Sequence, residues 1–510
     1  MQFDLVDKLR KMDVRYRTAV ISAFLWGIAS HGMGLFNKFS VHDDVMNYSV
    51  GSTYISGRWM LGLLGEFEKW IFKSGHFSLP LFNGLLAITL IAVCAALIVR
   101  MLEIKNLFFC MFIGGLMSSF PVITSIFGYM FTLHFYMISL LFAVGGVYCF
   151  CIGGKWYHAL AGIVLIGSSL GIYQAFFPVA LTLTLMYLVA LATRSDSVKA
   201  LLGKCVFCGL CLIGSVGFYF ILNKICLSVL HANLLAYMGI STMGKEAPSE
   251  YLRRFLYTYV DFFYPNVNSK YYMYWGRVSI IYKIAVLVSV VLSLLLLVRI
   301  YKKNRPTALI CALGMALLPF CMNSVLFMVG ERFTHSLMVY AQLFPFVYLV
   351  WVLENTDWKH ALIEKGAAVA VSCVSILILL SYCRVDNMCY LKATFAQSEA
   401  ISYLTTLITQ IKETDGYTDE LPVVFLNENT DSSLQSGDLG KIQVRYFPYG
   451  SVEGYVTIGT WPQFMGQWCG YFPTIVDGAD FAELEEVKSM PHYPDDGSIR
   501  VINDTVVVNF

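Results

Sequence analysis

The chain has 510 residues, of which 57% are hydrophobic and 14% charged, and its mean hydropathy is +0.64. Soluble domains run near a quarter charged, so this composition excludes an ordinary soluble domain and makes lipid the expected solvent. The net charge of +2 gives no signal for acidic partners, and no basic stripe points to nucleic acid.

A helix needs roughly 20 apolar residues to cross about 30 Å of hydrocarbon. About eleven such stretches are predicted, at 18–36, 79–99, 107–120, 131–151, 159–172, 178–191, 205–222, 278–298, 307–329, 336–352 and 366–383. Those at 107–120, 159–172 and 178–191 are short, so tilt, a break or a partly re-entrant course is expected there. Lys and Arg concentrate in cytoplasmic loops. Lys8, Arg10, Lys11, Arg15 and Arg17 precede the first stretch. With that end inside, the loops carrying Arg100 and Lys105, Lys155, Arg194 with Lys199 and Lys204, Arg299 with Lys302, Lys303 and Arg305, and Lys359 with Lys365 also fall inside. The same alternation puts 37–78, 223–277 and the tail from 384 outside. No small-x-small site follows the first stretch, which is therefore read as a retained span. The expected architecture is an all-α polytopic membrane domain over 1–384, with outer loops 37–78 and 223–277, and a small extracytoplasmic α/β domain over 385–510.

In the tail the pattern predicts a helix over 392–411, a strand over 421–426 and a hairpin over 500–510 turning at Asn503–Asp504. The polar cluster 427–433 is read as a loop. Most of the 14 cysteines lie within spans, and Cys205, Cys208 and Cys211 are read as core packing rather than metal ligands. Cys389 and Cys469 are candidates for a bridge in an oxidising compartment. The loop 223–277 carries Tyr251, Tyr257, Tyr259, Tyr264, Tyr271, Tyr272, Tyr274 and Trp275, which suit interfacial anchoring and, alternatively, stacking on sugar faces. Within the spans only His134 and the amides Asn83, Asn323 and Gln342 approach the character of a transport pathway, which weakens a transporter reading.

The residues with chemistry cluster in outer segments. The first outer loop reads His42-Asp43-Asp44 and continues to Gly57-Arg58-Trp59, with Glu66 and Glu68 beyond. A carboxylate at the mouth of an apolar bundle suits a general base. The plain alternative is a cap on the helix that follows. Arg58, Arg332 and His335 also fall outside. Arginine recognises phosphate through a planar fork of donors, whereas a snorkelling interfacial cation needs no ligand. Glu331 and Arg332 sit in a very short turn, Gly330-Glu-Arg-Phe-Thr-His335, and are expected to face a cavity.

His42-Asp43-Asp44, Gly57-Arg58-Trp59 and Tyr173-Gln174 together resemble the type II O-antigen glucosyltransferase family, of the GT-C class of multi-spanning glycosyltransferases. The resemblance implies an enzyme of the bacterial plasma (inner) membrane with its N-terminus cytoplasmic. It would move a hexose, glucose first among them, from a polyprenyl-phosphate donor to a cell-surface polysaccharide with inversion. Asp43 or Asp44 would be the catalytic base. Arg58, Trp59, Tyr173, Gln174, Glu331, Arg332 and His335 would bind substrate, with Arg332 and Arg58 balancing charge on the leaving phosphate. Tyr173 and Gln174 read equally as a belt tyrosine and a turn before Pro178. A lipid monophosphate donor needs no metal-held diphosphate, so no cofactor and no essential divalent metal are expected, and the partners are membrane lipid, the lipid-linked sugar and the acceptor glycan. The competing reading is a flippase or transporter of lipid-linked glycans; a non-enzymatic assembly protein leaves the paired aspartates without a purpose.

Overall fold

The computed structural model describes residues 11–45, 51–75, 77–195, 197–235, 246–264, 277–329, 334–356, 361–427 and 461–510. The helices used below are α1 Val14–Phe36, α2 Trp59–Phe72, α3 Pro80–Met101, α4 Leu107–Ser119, α5 Val122–Phe127, α6 Leu133–Ile152, α7 Trp156–Ile172, α8 Phe177–Arg194, α9 Val198–Val229, α10 Pro248–Phe263, α11 Arg277–Lys303, α12 Arg305–Asn323, α13 Phe344–Glu354 and α14 Ala361–Glu413.

Among the described residues nine helices are long and apolar enough to cross a membrane. The two other predicted stretches are shorter apolar helices, Trp156–Ile172 and Tyr340–Glu354. The first stops where Tyr173 turns extended, and the second opens with a 3-10 turn, Tyr340–Leu343, just after another at Ser336–Met338. The stretch expected to be short at 107–120 continues beyond Pro121, so that Leu107–Phe127 reaches spanning length. The last helix, predicted to end at 383, runs to Glu413 and absorbs the separate helix expected at 392–411. Residues 384–391 contain neither Gly nor Pro, so nothing there breaks it. At 1.5 Å per residue its 53 residues span roughly 80 Å.

The chain forms two compact units, one of Met1–Asn37 with Tyr48–Asn387 and one of Lys38–Asn47 with Met388–Phe510. In the first, helix starts are set by local chemistry. The Asn106 side chain accepts from the amides of Phe108 (2.9 Å) and Phe109 (3.3 Å) at the head of α4, and Pro80 opens α3 where its missing N–H costs nothing. Small residues permit close packing, as expected where lipid supplies no drive for helix association. A Cβ on Gly114 would lie 2.1 Å from the Ala19 carbonyl oxygen, so α4 rests directly on the backbone of α1. Ser139 and Ser169 each donate to the other's carbonyl, at 2.9 and 2.8 Å, joining α6 to α7.

Turns assigned to one side of the membrane meet each other. Arg194 pairs with Glu103 at 2.5 Å, and Glu354 accepts from the amides of Lys105 (2.9 Å) and Asn106 (2.6 Å). The helix α10 carries Tyr251, Tyr257 and Tyr259, and its Leu252, Leu256 and Val260 form an exposed stripe four residues apart, the form of an interfacial helix. Tyr271, Tyr272, Tyr274 and Trp275 lie outside the described residues. Two ionisable groups missed in the spans are wholly buried. His31 Nε2 lies 2.8 Å from the Ser118 carbonyl, and Asp386, just past the predicted end of the last span, accepts from Thr124 Oγ1 at 2.7 Å.

The second unit combines the C-terminal part of α14 with a three-stranded sheet of order β1-β3-β2, where β1 is Val423–Leu426, β2 is Ile499–Ile502 and β3 is Thr505–Asn509. β1 runs parallel to β3, with Val423 opposite Val506, and β2 antiparallel to it, with Ile502 opposite Thr505. The predicted hairpin is β2–β3. Its turn puts Asn503 and Asp504 at φ of 50° and 53°, the pair of left-handed residues that a two-residue turn between twisted strands demands. Val424, Leu426, Val487, Met490, Ile502 and Val507 form its core. Of the polar cluster 427–433 only Asn427 is among the described residues. No disulfide joins Cys389 and Cys469. The Sγ of Cys469 lies 3.9 Å from Thr405 Oγ1, and Thr405 stands roughly 24 Å along α14 from Cys389, too far for a disulfide.

Candidate active site

Within the membrane unit, four of the residues singled out in the sequence come together around one arginine. Gly57, at φ 73°, turns the chain ahead of α2 and delivers Arg58 at its start. The turn is fixed from two sides. Gln174 Nε2 donates to the carbonyl of Gly57 at 3.2 Å and to the Tyr219 hydroxyl at 3.3 Å, and that hydroxyl donates to the same carbonyl at 3.1 Å. Trp59 is 3% exposed and packs with Leu170 and Tyr219. A Cβ on Gly171 would come within 2.6 Å of its indole, so glycine is the residue that lets α7 approach. Trp59 and Gln174 therefore hold the turn that aims Arg58.

The Arg58 guanidinium lies 5.5 Å from the Tyr173 ring centroid and donates to the Tyr136 hydroxyl at 3.2 Å. The two tyrosine rings stack at 4.5 Å, and the Tyr173 hydroxyl donates to the Leu337 carbonyl at 3.3 Å. A cation over a ring contributes about 0.5–2 kcal/mol, and here the Tyr136 hydroxyl also takes one of the guanidinium donors. Beside this cluster on the same two helices, Glu68 Oε1 of α2 lies 3.4 Å from His134 Nε2 of α6. His335 is half-buried at the start of the 3-10 turn that presents the Leu337 carbonyl. Next to it, Ser336 Oγ pairs with Ser125 Oγ at 2.8 Å. Glu331 and Arg332 lie outside the described residues.

The two aspartates belong to the second unit. They stand in a 3-10 turn, His42–Val45. Asp44 is 3% exposed and ion-paired with Lys38 Nζ, which also donates to Ser40 Oγ and the Phe39 carbonyl, each at 3.3 Å. Asp43 remains half-buried. Among the described residues no group of three or more His, Cys, Asp and Glu is placed to hold a metal ion.

Sequence reasoning missed Tyr136, Tyr219 and Lys38. Tyr136 had a signal in Leu133-His-Phe-Tyr136, two polar groups at the mouth of a span. Lys38 had another, an opposite charge six residues before Asp44. Tyr219 had none, being one ring in an apolar run.

A helical membrane body with an arginine set against a pair of stacked tyrosines, and a separate loop carrying two carboxylates, has the parts of a membrane-embedded group-transfer enzyme. The family model described as glucosyl transferase GtrII matches residues 32–352. The chain belongs to that family and is a membrane glucosyltransferase. Comparison with curated proteins and with solved structures finds no match. The matched stretch includes Asp43, Asp44, Arg58, Tyr173 and Gln174 and ends before α14.

Proposed function

We propose that this glucosyltransferase takes glucose from a polyprenyl-phosphate donor and places it, with inversion, on a surface polysaccharide at the outer face of a bacterial plasma membrane. The observation that carries the reading is Arg58. A cation held over the Tyr173 ring and bonded to the Tyr136 hydroxyl, in a unit made of membrane helices, suits an anionic headgroup on a lipid. In the reaction the acceptor hydroxyl oxygen attacks the anomeric carbon, the bond from that carbon to the phosphate oxygen breaks, and the electron pair leaves with polyprenyl phosphate. Arg58, joined by Arg332, neutralises the charge that grows there.

The acceptor proton goes to a carboxylate. Asp43 is the carboxylate assigned to this step, with Asp44 beside it paired to Lys38. Glu331 and His335 complete the proposed substrate-binding set. A lipid monophosphate balanced by arginine needs no divalent ion, so none is expected to be essential. The alternation of Lys and Arg, together with the Arg194–Glu103 and Glu354–Asn106 contacts between turns assigned to one side, supports a cytoplasmic N-terminus and an outer second unit.

The test is transfer of labelled glucose from polyprenyl-phosphate glucose in membranes carrying wild type, Asp43→Asn or Asp44→Asn. Asp43→Asn is expected to abolish transfer while inserting normally. Full activity in both single variants and in the double variant would sink the mechanism. An inactive wild type across several lipid-linked sugars and acceptors would favour the flippase.

A further inference from the structure

We propose that Gln397 and Trp468 are positioning residues for the aspartate loop, holding residues 38–40 so that Lys38 in turn fixes Asp44 and the turn that carries Asp43. The inference rests on the reading of these aspartates as the carboxylates of the reaction.

Gln397, on α14, uses both ends of its amide on one short piece of backbone. Its Oε1 accepts from the Ser40 N–H at 2.9 Å, and its Nε2 donates to the Lys38 carbonyl at 3.1 Å. Two points of attachment two residues apart fix direction as well as position, as a neighbouring strand would. Trp468 supplies a third point. Its Nε1–H donates to Ser40 Oγ at 2.8 Å, and Ser40 is 2% exposed. The same hydroxyl accepts from Lys38 Nζ at 3.3 Å, and Lys38 pairs with Asp44. A continuous chain of polar contacts thus runs from Trp468 through Ser40 and Lys38 to Asp44. Phe39 stacks on Tyr390 of α14 at 5.9 Å, and Val41 is buried, so each residue from 38 to 41 is held.

The support for Trp468 is itself unusual. It stands on a single π-turn, Met465–Cys469, a form that re-aims side chains and recurs at functional sites. The turn is anchored by wholly buried Phe464 and Met465 and closed by Gly470 at φ 67°. Both Gln397 and Trp468 lie beyond the stretch 32–352 that the family model matches, whereas the aspartates lie inside it. Residues outside the matched stretch thus shape a loop that lies within it.

The test uses the full-length enzyme purified in detergent, with Ser40→Ala, Trp468→Phe, their combination, Gln397→Glu and Gln397→Leu, and with Asp43→Asn and Asp43→Asn/Asp44→Asn as references. Trp468→Phe keeps an aromatic side chain and removes the Nε1–H donor together with the pyrrole half of the indole. Trp468→Phe and Ser40→Ala are each expected to lower kcat about 10- to 100-fold, the scale of a small misplacement of a reacting group. The KM for polyprenyl-phosphate glucose should stay within about twofold, since this contact acts on chemistry rather than donor binding. The combined variant should be no worse than the worse single one, because both act through one path. Gln397→Glu, which keeps the acceptor for Ser40, should lose less than Gln397→Leu.

Wild-type kcat in Trp468→Phe and Gln397→Leu, with Asp43→Asn dead, overturns the positioning role and leaves the proposed function standing. Losses that multiply in the combined variant, or that track a fall in Tm across the series, equally overturn it. Full activity in Asp43→Asn/Asp44→Asn removes the function reading itself.

Discussion

Arg58 shows how a single side chain is made specific by what surrounds it. Its flat guanidinium lies over the Tyr173 ring, 5.5 Å from the centroid, while Tyr136 takes one of its donors. Lysine keeps the charge but neither the plane nor the fork. Arg58→Lys is therefore expected to lose about tenfold or more in kcat/KM for polyprenyl-phosphate glucose, equivalent to ~1.4 kcal/mol. A lysine variant with unchanged kcat/KM would mean that only charge matters at this position. At the start of α1, Asp13 accepts from the Arg15 amide at 2.9 Å and from its guanidinium at 2.6 Å, which hold the carboxyl down at about 2 from an ordinary 3.8. Because the folded value is the lower one, the stabilisation is complete above about pH 4 and is lost as pH falls toward 2. The Tm difference between wild type and Asp13→Ala should be constant at neutral pH and close on acidification; a gap that persists at pH 2 would assign the effect to packing.

At the scale of elements, glycine sets how closely helices meet. Gly171→Ala would drive a methyl into the Trp59 indole. The cost expected for such overpacking is about 1–3 kcal/mol, and it should lower transfer activity together with Tm, since Trp59 anchors the turn that aims Arg58. Activity unchanged beside a clear loss of Tm would separate that packing from the site. Hydropathy made these elements legible as lengths, because a membrane demands about 20 apolar residues whatever their packing. The β2–β3 hairpin was legible because Asn503–Asp504 states its turn chemistry locally. The end of the last span was not. The polar residues from Arg384 onward look like an exit from lipid, yet no Gly or Pro stands among residues 384–391 to break the helix, so α14 continues and Asp386 is buried within it. The cluster around Arg58 was readable as a set of polar residues at the mouths of spans, but Tyr219 and Gly171 enter it only through helix packing, which leaves no periodic trace in one sequence.

For the whole molecule, sidedness is the property that most constrains function. An alkaline phosphatase fused after Phe510 should be active in bacterial cells and a fluorescent protein fused there dark; the reverse pattern would put the second unit in the cytoplasm and remove an outer-face acceptor. The order of synthesis adds a further consequence. Ser40 emerges early, but its partner Trp468 is 428 residues away in sequence. At a synthesis rate of about 5–20 residues per second, some 20–90 s separate the two. During that interval the helices insert while the loop between the first two spans waits for its distant partner. On the proposed positioning role, the aspartate loop gains its contact with Trp468 only after α14 has been made.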